Sequence, residues 1–469
     1  MPRYRLLVAT RLLLPLILST GSHVAAQDDV GRRIDTFVHE EMQRQHVPGV
    51  AIAVVSHGAV VKAQGYGLAN LEHQVPVSEA TMFQSGSLGK QFTATAVMLQ
   101  VEAGKLSLSD PLTKFFPDAP EGWRAITVRH LLTHTSGIPD YTDGQVDLQK
   151  DHTEDQLAHI AFGLPLQFRP GSRWHYSNTG YVLLGVIVHK VSGSFYGDVL
   201  AARVFKPLGM TTARIISEAD IVANRAAGYR LDQGEVKNQV WVAPLMNTTA
   251  DGSLYLSIRD LIAWDAGVRA HAILAPDSWK AILEPVQLTS GKHYPYGFGW
   301  AIGERGGAPL HQHSGSWQGF KSQFSRFIGD DLSIIVLANL AEARPARFAD
   351  GVAAIMDPAL AVPPLRPIED REPSMTARCS RLLEQARNGT LVSSEFALLP
   401  AGVFAEVARD LQERLRSLGP ATKMALLQRV EEGDDRLFTY EVTFGDRAFR
   451  FTVGLTPDNR VSEINLTPQ

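Results

Sequence analysis

Segments that read as β-strand lie at two places far apart in this chain, with a long helical stretch between them. Val30, Ile34, Phe37, Val38 and Met42 recur at helical spacing and predict an amphipathic helix that ends near His46-Val47-Pro48-Gly49. Residues 50–55 then form an unbroken apolar run, Ser56-His57-Gly58 reads as a turn, and residues 60–67 read as a second strand. Strands return at 297–302, 319–327 and 332–338, and a helix around 344–355 follows. Residues 80–290 between them carry helical patterns and loops punctuated by Gly and Pro. The arrangement that buries both sets of strands together is an α+β fold: one mixed antiparallel sheet covered by helices, with a helical lobe beside it.

Domain boundaries follow from composition. Arg3, Arg5 and Arg11, an apolar run at 12–18, and Val24-Ala25-Ala26 before Gln27 have the layout of a cleaved export signal over residues 1–26. A secreted or periplasmic location is therefore expected, with the main domain at 27–356. Pro358, Pro363, Pro364, Pro367 and Pro373 mark a stiff linker at 357–373. Beyond it, helical patterns near 376–388 and 402–417 precede two alternating runs, Phe438/Tyr440/Val442/Phe444 and Phe449/Phe451/Val453/Leu455. These predict a small α+β unit at 374–469.

A net charge of −4 without blocks of like charge gives no footprint for nucleic acid. No stretch after the leader is long and apolar enough to predict a stable membrane span in the mature protein. Cys379, the one cysteine, has no motif around it and reads as a buried, inert thiol.

Three segments carry chemistry. In Ser85-Gly86-Ser87-Leu88-Gly89-Lys90, a helix starting at Ser87 puts Lys90 one turn on, on the same face. A serine hydroxyl needs a base to attack at neutral pH, and a lysine amine serves if its surroundings lower its pKa. The bland alternative is a helix cap beside a solvated lysine. The second segment is Tyr176-Ser177-Asn178 in a loop rich in Gly and Ser. A phenol acidified by nearby cations can shuttle protons, and Asn178 offers both a donor and an acceptor; read alone, the pair is also an ordinary turn. The third is His311-Gln312-His313-Ser314-Gly315-Ser316-Trp317. Gly315 in a strand lets a substrate backbone approach closely, and Ser316 can present an N–H to a developing oxyanion. His311 and His313 would face one side of that strand, but no further ligand is marked by spacing, so no metal is expected.

Ser87-Leu88-Gly89-Lys90, Tyr176-Ser177-Asn178 and His313-Ser314-Gly315, in that order, resemble the three motifs of the serine β-lactamase-like superfamily. That group includes class C β-lactamases, DD-carboxypeptidases (low-molecular-mass penicillin-binding proteins), D-aminopeptidases and related esterases. Leu131–Pro139, Tyr296–Trp300 and Asp251-Gly252-Ser253-Leu254 look like the family too. The resemblance implies a β-lactamase/transpeptidase-like fold and an acyl-enzyme on Ser87, without metal or organic cofactor. Lys90 would be the base or would tune the nucleophile, and Tyr176 would move protons in acylation and deacylation. The choice of base between Lys90 and Tyr176 stays open. Asn178 would hold Lys90 or a substrate amide, and His313 would border the substrate opposite Tyr176.

His313 departs from the family, where lactamases and carboxypeptidases usually carry a lysine that favours a substrate carboxylate. A neutral imidazole grips a carboxylate less well. That favours carboxylic esters or D-amino-acid amides and peptides over efficient β-lactam or D-Ala-D-Ala turnover, and leaves room for a slowly deacylating penicillin-binding sensor. The expected partner is a small-molecule or peptide substrate. Tyr141 is expected to line the pocket, and Trp300 and Trp317 read either as an apolar wall for the acyl group or as core.

Overall fold

The computed structural model describes residues 20–468 apart from Gln145, Ser217, Glu218 and Pro400, with no side-chain description at 20–28, 401–402 and 468. The leader read at 1–26 lies outside the described residues except for the backbone from Thr20. Helix α1 (Thr20–Gln45) leads into strands β1 (Gly49–Ser56) and β2 (Ala59–Asn70), and a short β3 (Val75–Pro76) follows. Four strands from the far end of the domain join them: β4 (Ala301–Arg305), β5 (Ala308–Trp317), β6 (Phe320–Phe327) and β7 (Leu332–Ala338). All seven form one antiparallel sheet in the order β4-β5-β6-β7-β1-β2-β3. The expected α+β architecture is therefore present, and β1–β7 is the seam that joins the two ends of the domain.

The apolar run of β1 exists because the sheet is covered on both faces. Val50, Ile52 and Val54 pack with Ile34 and Val38 of α1 and with Phe348 and Val352 of α5 (Pro345–Met356). Ala51 and Ala53 point the other way, into the larger core that holds Phe92 of α2 (Lys90–Glu102) and Trp264 of α4 (Ile258–Arg269). The helical lobe, with α3 (Asn178–Ser192) running through it, shares that core.

One expected strand is displaced. Residues 297–300 are a turn, closed by Gly297 N–H donating to Trp300 C=O at 2.8 Å, and the strand starts only at Ala301. Gly299 takes φ +74°, and a Cβ there would meet the Lys90 backbone at 2.8 Å. Phe298 and Trp300, read as part of a strand, are rings buried by this turn.

Residues 373–468 build a separate four-stranded antiparallel meander, β8 (Lys423–Glu432), β9 (Asp435–Phe444), β10 (Arg447–Leu455) and β11 (Val461–Pro468). Helices α6 (Pro373–Asn388) and α7 (Ala401–Leu418) pack on it, and Cys379 is buried in this core. The first and last strands of the meander had no clear alternation in sequence. Among the described residues no helix is long and apolar enough to cross a membrane.

A buried charge cluster ties α4 to the sheet. Asp265, fully buried, accepts from Arg326 Nε at 2.9 Å, from Arg269 at 3.1 Å and from the Ser333 hydroxyl at 2.6 Å. Removing the carboxylate strands the Arg326 charge in the sheet. Asp265→Ala is expected to cost about 3–5 kcal/mol, read as a lower urea midpoint at unchanged slope.

Candidate active site

Ser87 sits where the chain leaves the short strand Phe83–Gln84. It lies in a 3₁₀ turn, Gly86–Gly89, that leads into α2 at Lys90, so the regular helix begins three residues later than the sequence suggested. Gly86 has φ +53°, and a Cβ on it would lie 2.4 Å from Ser316 N. Glycine is needed there for both reasons. From across the sheet edge, Gly315 packs so closely that a Cβ would fall 1.9 Å from Ser85 C=O. The backbone of β5 is thereby pressed against the turn that carries Ser87, bringing the Ser316 N–H beside it.

Lys90 is fully buried. Its Nζ lies 3.3 Å from Ser87 Oγ, 2.6 Å from Asn178 Oδ1 and 2.5 Å from the Asp251 carbonyl. Burial pushes its pKa down to about 8, against the opposing pull of the Asp251 and Asp140 carboxylates. Asn178, the first residue of α3, is aimed by Asp140, whose Oδ2 accepts from the Asn178 backbone N–H at 2.8 Å and from Nδ2 at 2.9 Å. The amide oxygen is left for Lys90. Tyr141 is buried, donates to Asp251 Oδ2 at 2.9 Å, and lines a small lobe of the site with Ser87, Asn178 and Trp317.

Tyr176 differs from expectation in one respect. Nearby cations were expected to acidify it, but burial dominates and pushes its pKa well above the ordinary phenol value, with the Ser87 hydroxyl pulling the other way. The hydroxyl is buried without a well-formed hydrogen bond, and Lys90 Nζ lies 4.9 Å from the ring centre. At neutral pH Tyr176 is a phenol.

The surroundings of His313 define its protonation. Ser177 N–H donates to His134 Nδ1 at 3.1 Å, so the His134 proton is on Nε2, 3.2 Å from the Tyr296 hydroxyl. Tyr296 lies 2.9 Å from His313 Nε2, and His313 Nδ1 lies 2.6 Å from the Ser314 carbonyl, which only accepts. The four contacts run in one direction, Ser177→His134→Tyr296→His313→Ser314, and each ring carries one proton. Burial, reinforced by the Lys90 charge, holds His313 at about 4 and His134 well below its usual value. His313 borders the cavity with Tyr176 as expected, but as a neutral ring bound to Tyr296.

A cavity of about 1010 Å³ opens beside Ser87, Tyr176, His313, Gly315 and Ser316. Trp317 lines the small lobe and donates from Nε1 to Asn247 at 2.6 Å. Trp300 does not reach either space; it is fully buried against Phe324, so its reading as an acyl wall is overturned. His311 has no third His, Cys, Asp or Glu with it and His313 among the described residues. Sequence reasoning passed over Asp140, Asp251, His134 and Tyr296 as site residues. All four lie in or beside segments already singled out, at 131–139, 251–254 and 296–300. Their roles depend on which groups face them, which sequence spacing does not carry.

A serine hydroxyl, a buried amine of lowered pKa and a phenol meet around one cavity. Residues 34–355 match the sequence profile of the family described as Beta-lactamase. The chain belongs to that family and is a serine hydrolase. Penicillin-binding protein 4* of Bacillus subtilis (strain 168) is 30% identical over 322 residues, covering 65% of this chain and 70% of the relative. Protein flp of Staphylococcus aureus (strain NCTC 8325 / PS 47) is 30% identical over 326 residues and 67% of this chain, which spans 64% of that relative. The octameric penicillin-binding protein homologue from Pyrococcus abyssi superposes with a TM-score of 0.63 at 25% identity, over 94% of this chain and 98% of that one. The D-amino acid amidase from Ochrobactrum anthropi SV3 gives 0.63 and 25% over 71% of this chain and 99% of that one.

Gly315→Ala tests the close approach of β5. Backbone atoms cannot yield to a methyl group at 1.9 Å. The variant is expected to lose about 1–3 kcal/mol of stability and its hydrolytic turnover of a chromogenic ester, read by thermal unfolding and by absorbance.

Proposed function

We propose that the protein is an exported hydrolase that cleaves carboxylic esters or D-amino-acid amides and peptides through an acyl-Ser87 intermediate. The observation that carries this is the set of three contacts at Lys90 Nζ. In its neutral form the amine has two N–H donors for Asn178 Oδ1 and the Asp251 carbonyl and one lone pair for the Ser87 proton. Lys90 is therefore the base in this reading, since burial lowers its pKa and raises that of Tyr176. Ser87 Oγ attacks the carbonyl carbon, and the N–H groups of Ser87 and Ser316 receive the oxyanion. As the C–O or C–N bond breaks, the proton taken by Lys90 passes through Tyr176 to the leaving atom. Water then attacks the acyl carbon, gives its proton back along the same route, and frees the acid and Ser87.

The neutral His313 supports the ester and D-amino-acid reading, because the family's cation for a substrate carboxylate is missing from that position. The D-amino acid amidase likeness supports the same side. A slowly deacylating penicillin-binding protein is the second reading, favoured by the raised pKa of Tyr176 and by the penicillin-binding relatives. Export rests on the pattern at residues 1–26.

Purified protein is to be given a chromogenic ester, a D-amino-acid amide, a chromogenic cephalosporin and a fluorescent penicillin. Fast turnover of the first two with little cephalosporin hydrolysis supports the proposal; a long-lived penicillin adduct without ester or amide turnover supports the second reading. Ser87→Ala is expected to abolish every signal, and retained turnover in it sinks both. The pH dependence has a definite sign. Charged Lys90 cannot accept the Ser87 proton, so the acylation rate is expected to rise as pH climbs through about 8. A rate flat from pH 6 to 10 contradicts Lys90 as base.

A further inference from the structure

The acyl-transfer chemistry leaves residues 374–469 without a task, but their contacts give them one. The turn between β8 and β9 docks on the loop that presents Tyr176. Arg173 Nη2 donates to both carboxylate oxygens of Asp435, at 2.8 and 2.6 Å, with the two side chains only 19% and 18% exposed. The next residue, Trp174, stacks on Tyr294 at 4.1 Å with the ring planes 10° apart. The same turn grips the hairpin that carries Tyr294. Glu432 hydrogen-bonds the Tyr294 hydroxyl, and Lys292 pairs with Glu431 at 3.3 Å. At Gly433 a Cβ would come within 2.8 Å of Leu288. The inner side of Trp174 faces the site, 6.0 Å from His134, 5.6 Å from Tyr296 and 6.2 Å from Tyr176.

The loop has few side-chain anchors of its own. Among the described residues, Arg173 Nε, Trp174 Nε1 and His175 Nδ1 are buried without a hydrogen-bond partner, and Tyr176 OH without a well-formed one. Backbone ties hold it at Gly171, which donates to Thr135 C=O at 2.8 Å, and at His175, which donates to His134 C=O at 2.9 Å. Between those ties, the hold on Arg173 and Trp174 comes from the ion pair and the ring stack. A charge-assisted bond from one Nη2 to both carboxylate oxygens is short and strong. The meander also reaches the substrate space directly, because Arg450 of β10 and Thr467 of β11 line the cavity that holds Ser87 and Tyr176.

We infer that the C-terminal unit is part of the active site: its 431–435 turn clamps the loop carrying Tyr176, and Arg173–Asp435 is the clasp. The inference rests on the proposed role of Tyr176. Arg173 and Asp435 are positioning residues that act through that loop. A displacement of about 1 Å in a catalytic group costs roughly 100-fold in rate, so loosening the clasp reads out in turnover.

The test uses the full chain with Arg173→Ala, Asp435→Ala, the double variant, and the near-isosteric Asp435→Asn. Ester hydrolysis is measured at 25 °C alongside the thermal midpoint of each protein. For variants whose midpoints lie well above 25 °C, kcat is expected to fall about tenfold or more with KM within twofold. The double variant is expected to lose no more than either single one. If either alanine variant unfolds below that temperature, Asp435→Asn carries the test, with a kcat loss of at least threefold expected. Unchanged kcat in the folded variants, or an effect confined to KM, overturns the inference. Ser87→Ala in the same assay separates the two levels. Turnover retained there defeats the serine mechanism itself, whereas a silent Ser87→Ala beside fully active clasp variants defeats only the clamp.

Discussion

A lysine amine kept out of water is the constraint around which the rest of the site is arranged. Lys90 has no carboxylate in direct contact; its partners are a hydroxyl, an amide oxygen and a backbone carbonyl. Moving its pKa from 10.5 to about 8 corresponds to a bias on the order of 3 kcal/mol against the charged form. That bias would be larger without the Asp251 and Asp140 carboxylates, whose charges favour the protonated amine; Asp140 is also tied to Lys90 through Asn178. The two carboxylates hold the lysine in a range where both protonation states are within reach near neutrality. General acid–base groups work best there.

The same burial sets the other titrating groups. It raises Tyr176 and lowers His134 and His313, so these three rings stay neutral at neutral pH around an amine whose pKa is lowered to about 8. Burial keeps His313 neutral, and the one-way hydrogen-bond chain through Tyr296 gives both its nitrogens a partner in that form. A lysine at that position would place a second cation beside Lys90 and push the Lys90 pKa lower still. The histidine therefore alters the tuning of the base as well as the grip on substrate.

Much of this was legible in the chain. Apolar runs buried on both faces have no polar alternation to obscure them, so β1 and β7 could be read directly, and the three motifs named Ser87, Lys90, Tyr176, Asn178 and His313. The segment at 297–300 was read as the start of a strand, but Gly299 at φ +74° makes the chain turn before Ala301. Asp140 and Asp251 were passed over because a carboxylate is informative only once its neighbours are known. The Arg173–Asp435 pair spans 262 positions, and no local pattern announces an ion pair between units with separate cores.

The central claim is that Lys90 is a buried amine of lowered pKa, and titrating that amine tests it most directly. Protein carrying ¹³C at the lysine ε-carbon, with the Lys90 resonance assigned by its loss in Lys90→Arg, is followed by NMR from pH 6 to 11. The account predicts a midpoint near 8 for Lys90, well below the midpoints of the solvated lysines. A midpoint of 10 or higher would mean that the amine stays charged throughout the working range, and the site would have no base for Ser87.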